Sequence, residues 1–122
     1  MPGTNSNTSD DSPRFHGHPI EYWLEIRLSG EDEERWEAVD AIRHLCSPAT
    51  SIPLILATLR EDPYWRARAL AAHAIFDLVI DPSEHDLALT LLPPLDEFAN
   101  DPSPEVRDQI SQTIALIENW SV

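Results

Sequence analysis

Two histidines stand where they could do chemistry. His44 lies four residues after Asp40, and His73 lies four residues before Asp77. On a helix, residues four apart share a face, so each pair brings an imidazole beside a carboxylate. Such a pair can ligate a divalent cation, and His73 beside carboxylates could change charge near physiological pH. The other histidines are His85 and the His16/His18 pair, which falls in a polar stretch and reads as part of a solvated tail. Cys46 is the lone cysteine, so no internal disulfide or multi-cysteine metal site can form, and a small apolar role is expected for it. The chain has no HExxH, no GxSxG and no glycine-rich phosphate loop. Catalysis therefore has no recognisable constellation, and no enzyme activity, cofactor or metal is expected.

Charge narrows the partner. Against 22 acidic residues stand eight arginines and no lysine, a formal net charge of -14. Binding nucleic acid or anionic lipid takes clustered cations, and the densest basic stretch here is "WRAR" at 65–68. Nucleic acid and membrane are not expected as partners; the acidity reads first as a solvated, aggregation-resistant surface, with steering of a basic protein as the alternative. No segment approaches the roughly 20 apolar residues of a membrane span, and the first residues lack the pattern of a secretory signal. A soluble cytoplasmic protein is the expectation. Residues 1–18, "MPGTNSNTSDDSPRFHGH", are polar and without hydrophobic period, which predicts a disordered arm ahead of one helical domain at 19–122.

The elements that must position the candidate residues are helices. Asp-Pro occurs at 62–63, 81–82 and 101–102, each time before a helix-periodic run. Aspartate can accept from free first-turn N–H groups, and proline at the first helical position gives up a donor that has no intrahelical partner anyway. A fourth start, "SGEDEERWEAVDAIRHL", follows Ser29 and Gly30 with acids that suit the positive end of the helix dipole. Two further runs, "HPIEYWLEIRL" and "SPATSIPLILATLR", complete six helices in three pairs. Little in the chain supports strands.

The pairs share a register. Arg35, Arg68 and Arg107 align, with spacings of 33 and 39 residues. Three residues on stand Ala38, Ala71 and Ile110; four on, Val39, Ala72 and Ser111; seven on, Ile42, Ile75 and Ile114; ten on, Leu45, Leu78 and Ile117. These positions form one apolar stripe. Trp23, Leu56 and Leu95 align in the preceding helices, as do Ile26, Leu59 and Phe98. The six extra residues fall in "DPSEHDLALTLL", ahead of Pro93 and Pro94, which are expected to kink or restart that helix. Counting from the arginine, positions +1, +5, +8 and +9 turn away from the stripe. They carry Trp36, Asp40, Arg43 and His44 in the first unit, His73, Phe76 and Asp77 in the second, and Gln112 in the third.

This register resembles the HEAT and HEAT-like (phycobilin lyase-type) repeat families, through Asp62, Pro63, Ala67, Arg68, Ala71, Ala72, Ala74 and Ile75, and again through Asp101, Pro102, Val106, Arg107, Ile110 and Ile114. The first unit departs from the pattern, since "GEDEERW" lacks Asp-Pro. The resemblance implies an all-α solenoid of about three stacked antiparallel helix pairs, at roughly 19–48, 49–80 and 81–120, with the second helices on the concave side. It also implies that the repeated arginines pair structurally with aspartates near the turns. Its functional implication is a non-catalytic adaptor or scaffold. Trp36, Asp40, Arg43, His44, His73, Phe76, Asp77 and Gln112 would then line a concave face for a protein or peptide partner. Two alternatives stay open. One is a structural or capping subunit that joins itself or a larger assembly through stack ends carrying Tyr22, Trp23 and Trp120. The other is a HEAT-like enzyme, although the His-Glu dipeptides of the iron-binding hydroxylases are absent and nothing defines a chromophore pocket.

Overall fold

The computed structural model describes residues 13–120. It is all-helical, with α1 Ile20–Ser29, α2 Asp32–Leu45, α3 Pro48–Glu61, α4 Trp65–Val79, a 3-10 turn Pro82–Glu84, α5 His85–Thr90, α6 Leu92–Asp96 and α7 Pro104–Trp120. α1 packs on α2 and α3 on α4, while α5 and α6 both pack on α7. The long helix α4 also touches α2 on one side and α7 on the other. No helix among the described residues is long and apolar enough to cross a membrane.

Six helices were expected and seven α-helices are found among the described residues, because the first helix of the third unit is broken. At the break the Leu91 N–H bonds to the Ala88 carbonyl at 2.9 Å, a three-residue closure. Pro93 and Pro94 follow, and neither has an N–H to return to the preceding turn. The four-residue pattern resumes with the Leu95 N–H on Leu91. Ala88, Leu91, Leu95 and Phe98 nevertheless share the buried side, so the broken helix fills the place of an unbroken one.

Most of the apolar stripe lies where its period puts it, although Leu45, Leu78 and Ile114 are only half-buried. Ala38, Ala71 and Ile110 are fully buried, as are Ile75 of α4 and Ile117 of α7. On α4, Ala67, Ala71, Ala72 and Ala74 are all inaccessible, and their small side chains let α4 seat closely between its neighbours. Position +6 belongs to the stripe too: Ala41, Ala74 and Thr113 are all fully buried. Ser111 stands exposed on α7, although its counterparts Val39 and Ala72 are core residues.

The helix starts differ from expectation. Asp62 does not cap α4 directly. Its Oδ1 accepts the Tyr64 N–H at 2.9 Å, and the helix begins at Trp65. Asp101 holds the Ser103 N–H at 2.9 Å ahead of α7, and Asp81 holds the Ser83 N–H at 3.0 Å ahead of the 3-10 turn. Each aspartate thus closes a two-residue side-chain turn, and the helix starts after it. α2 is capped by Glu31, whose backbone N–H bonds to Glu34 at 2.8 Å in a reciprocal capping box. Gly30 just before it is required by space, since a Cβ would stand 2.9 Å from Ile26 Cγ2.

A disordered arm was expected over residues 1–18. Residues 1–12 lie outside the described set, but residues 15–18 form a turn against α1 and α2. His16 and Gly17 both take positive φ, at 50° and 82°, and Phe15 and His18 exchange backbone hydrogen bonds at 2.9 and 3.1 Å. The Phe15 carbonyl accepts the Trp23 indole N–H at 3.0 Å, and its ring stacks on His44 at 5.1 Å. His18 stacks on Tyr22 at 3.8 Å, and His16 meets Glu37 at 3.2 Å. Trp23, buried with Ala38 and Ala41, thus supplies the apolar anchor that the polar sequence of the arm lacks.

Candidate functional site

Two ion-pair systems cross the long helices. The first is the arginine register. Arg35 grips the Asp62 carboxylate with Nε and Nη2, both at 3.0 Å, and Arg68 grips Asp101 the same way at 3.0 and 3.1 Å. In each case Nη1 reaches a carbonyl just ahead of the arginine's own helix: Gly30 for Arg35 and Asp62 for Arg68, both at 3.0 Å. Asp62 and Asp101 are nearly closed off, with side chains 8% and 6% exposed. The hydrogen bonds it donates to Asp62, with added help from Asp32, hold the Arg35 guanidinium above the ordinary arginine value against the opposing effect of burial. Bidentate pairs of this geometry fix orientation as well as charge.

The second system contains most of the expected partner-binding residues. Arg43 of α2 bonds Asp40 on its own helix at 2.9 Å and crosses to Asp77 on α4. His44 Nδ1 stands 3.4 Å from the Asp40 carboxylate and 2.8 Å from the Asp40 carbonyl. His73 Nε2 stands 3.4 Å from Asp77, and its Nδ1 faces Gln109 of α7 at 3.3 Å. The result is a continuous polar chain from His44 to Gln109 across three helices, with both imidazoles about half exposed. Arg43 sits between the two carboxylates and bonds one oxygen of each, the same oxygens that face His44 and His73. Among the described residues no group of three or more His, Cys, Asp or Glu is arranged to hold a metal.

Beside this chain an open depression of about 320 Å³ is lined by Trp36, Trp65, Arg66, Ala69, Leu70, His73, Glu105 and Gln109. The Arg66 guanidinium lies over the Trp36 ring, 5.4 Å from its centroid, and 3.7 Å from Glu33. Trp65 is among the most exposed large apolar residues, at 42%. The depression thus offers two indoles, the aliphatic side chains of Ala69 and Leu70, and charges of both signs.

Of the eight expected residues, Asp40, Arg43, His44, His73 and Asp77 come together, and Trp36 borders them through the depression. Phe76 is half-buried and Gln112 is exposed; neither joins the network. Gln109, Arg66, Trp65 and Glu105 were missed. At about 100° per residue, positions +2 and -2 from the arginine fall at about 200° and 160°, on the same side as +5 and +9. Extending the wheel one turn towards the N-terminus would have found Arg66 and Glu105.

Cys46 is half-buried, and burial pushes its thiol up from the ordinary value, which disfavours the reactive thiolate. Tyr64 donates its hydroxyl to Glu33; that hydrogen bond is the main reason its phenol is held above the ordinary tyrosine value. Compared with family models, curated proteins and solved structures, the chain matches none.

Proposed function

We propose that this chain is a HEAT-like helical repeat module that binds a protein or peptide on the face formed by α2, α4 and α7, without catalysis. One observation carries the reading. Polar and aromatic side chains from all three long helices meet on one open face, joined by Arg43–Asp77 and His73–Gln109. The contact order α2, α4, α7 favours a stacked, solenoid-like arrangement of the helix pairs. The adjoining depression, with Trp36 and Trp65 on its walls, has the aromatic and arginine content that concentrates binding energy at interfaces. The net charge of -14 favours a basic partner. A cytoplasmic setting fits a single, half-buried thiol.

The test compares wild type with Trp36→Ala/His73→Ala in capture from native lysate, after circular dichroism has established equal helicity. A basic protein retained by wild type and reduced about tenfold or more by the variant supports the reading. Equal recovery by both proteins contradicts it.

A further inference from the structure

Arg107 repeats the posture of Arg35 and Arg68 but lacks what they hold. Its Nη1 bonds the Asp101 carbonyl at 2.7 Å, as Arg35 bonds Gly30 and Arg68 bonds Asp62. In those two arginines the opposite edge, Nε with Nη2, carries an aspartate of the following unit. On Arg107 that edge meets no carboxylate among the described residues; its one other hydrogen bond runs from Nη1 to the Pro102 carbonyl at 3.2 Å. The guanidinium is half-buried and oriented by its carbonyl contacts, so the fork is set for a carboxylate before one arrives.

The kind of carboxylate is visible in the same molecule. Asp62 and Asp101, which fill the two occupied forks, each belong to an Asp-Pro turn in which Oδ1 also accepts the N–H two residues on. Asp81 forms the same turn, with the Ser83 N–H at 3.0 Å, yet it is exposed and meets no arginine among the described residues. Ile80 beside it is 51% exposed, an apolar neighbour open to cover on association. One open fork and one unclaimed turn of the fitting type thus stand on a single chain.

We propose that Arg107 takes the Asp81 carboxylate of a second copy of this chain, in the two-point grip that Arg35 and Arg68 apply to Asp62 and Asp101. The contact uses neither Trp36 nor His73, so it stands apart from the partner-binding face. Because each copy carries a formal charge of -14, the copies repel at long range, and the contact forms best where salt screens that repulsion.

Sedimentation velocity at about 0.15 M salt, where the screening length is about 8 Å, tests this over a concentration series. Wild type is expected to show a mass that rises with concentration. Arg107→Asp and Asp81→Arg should each weaken association by about tenfold or more, and an equimolar mixture of the two should recover it, since the reversed pair is again complementary. Arg107→Gln and Asp81→Asn give the same single-variant comparison if a charge reversal perturbs folding. Trp36→Ala/His73→Ala should associate as wild type does. A wild type that stays monomeric throughout overturns the proposal. So does association indifferent to both single variants, or a reversed pair that fails to recombine.

Discussion

Two arginine–aspartate systems, one closed and one open, draw their arginines from α2 and α4. Along one edge, Arg35–Asp62 and Arg68–Asp101 close each unit on the next, with aspartates 8% and 6% exposed. Along the other, Arg43 bridges Asp40 and Asp77, whose side chains are 31% and 37% exposed. The chemistry is alike and the surroundings are not. A carboxylate withdrawn from water must keep its partner, because an uncompensated buried charge is expensive. One left in contact with water can exchange its partner at small cost. The first edge is suited to holding units together, and the second is the one on which the proposed binding face is built.

The largest expected effect comes from breaking the closed edge. Asp101→Ala removes the grip on Arg68 and the turn before α7 together, and should destabilise by about 3 kcal/mol or more in urea unfolding. Arg43→Ala should cost less, about 1 kcal/mol in the same measurement, because the carboxylates it leaves unpaired, Asp40 and Asp77, keep about a third of their surface in water. Equal losses for the two variants would erase the distinction.

Smaller effects sharpen it through pH. Tyr64 is raised by its hydrogen bond to Glu33, so the neutral phenol is favoured in the folded state. The stabilisation is complete below the unfolded tyrosine value of about 10 and is lost as pH rises through the folded value. Absorbance titration should therefore show a late phenolate that moves earlier in Glu33→Gln. The smallest effect is expected at Asp81, which is lowered by the Ser83 backbone N–H. Its contribution is present above the unfolded carboxylate value and disappears as pH falls through the lower folded value. A carbon-detected titration should place its midpoint below the ordinary aspartate range, and Ser83→Pro, which removes the donor, should raise it.

Much of this was legible because the chain repeats. The 33-residue spacing makes residues about one unit apart neighbours, and Arg43 and Asp77, 34 apart, meet accordingly. The closed edge spans 27 residues at Arg35–Asp62 and 33 at Arg68–Asp101. That six-residue difference is the same insertion that separates the two arginine spacings, and it lies between the partners, in the broken first helix of the third unit. Other features were hidden. The aspartate turns delay the helix starts because a side-chain bond to the second residue on competes with direct capping. The Phe15–His18 turn was missed because composition averages over an arm, and one phenylalanine with a His-Gly pair is enough to anchor it to Trp23. Position +6 was missed because the stripe is wider when a helix has neighbours on both sides, as α4 has. Trp120 was expected to cap one end; its side chain lies outside the described residues.

The most direct test of the partner-binding face places a photocrosslinking side chain at Arg66, inside the depression, and in a second protein at Pro53, an exposed position on α3. Each is irradiated in native lysate with and without excess unlabelled wild type. The account predicts an adduct from position 66 that competitor removes, and no matching adduct from position 53. Competed adducts from position 53 alone, or none from either position, would contradict it.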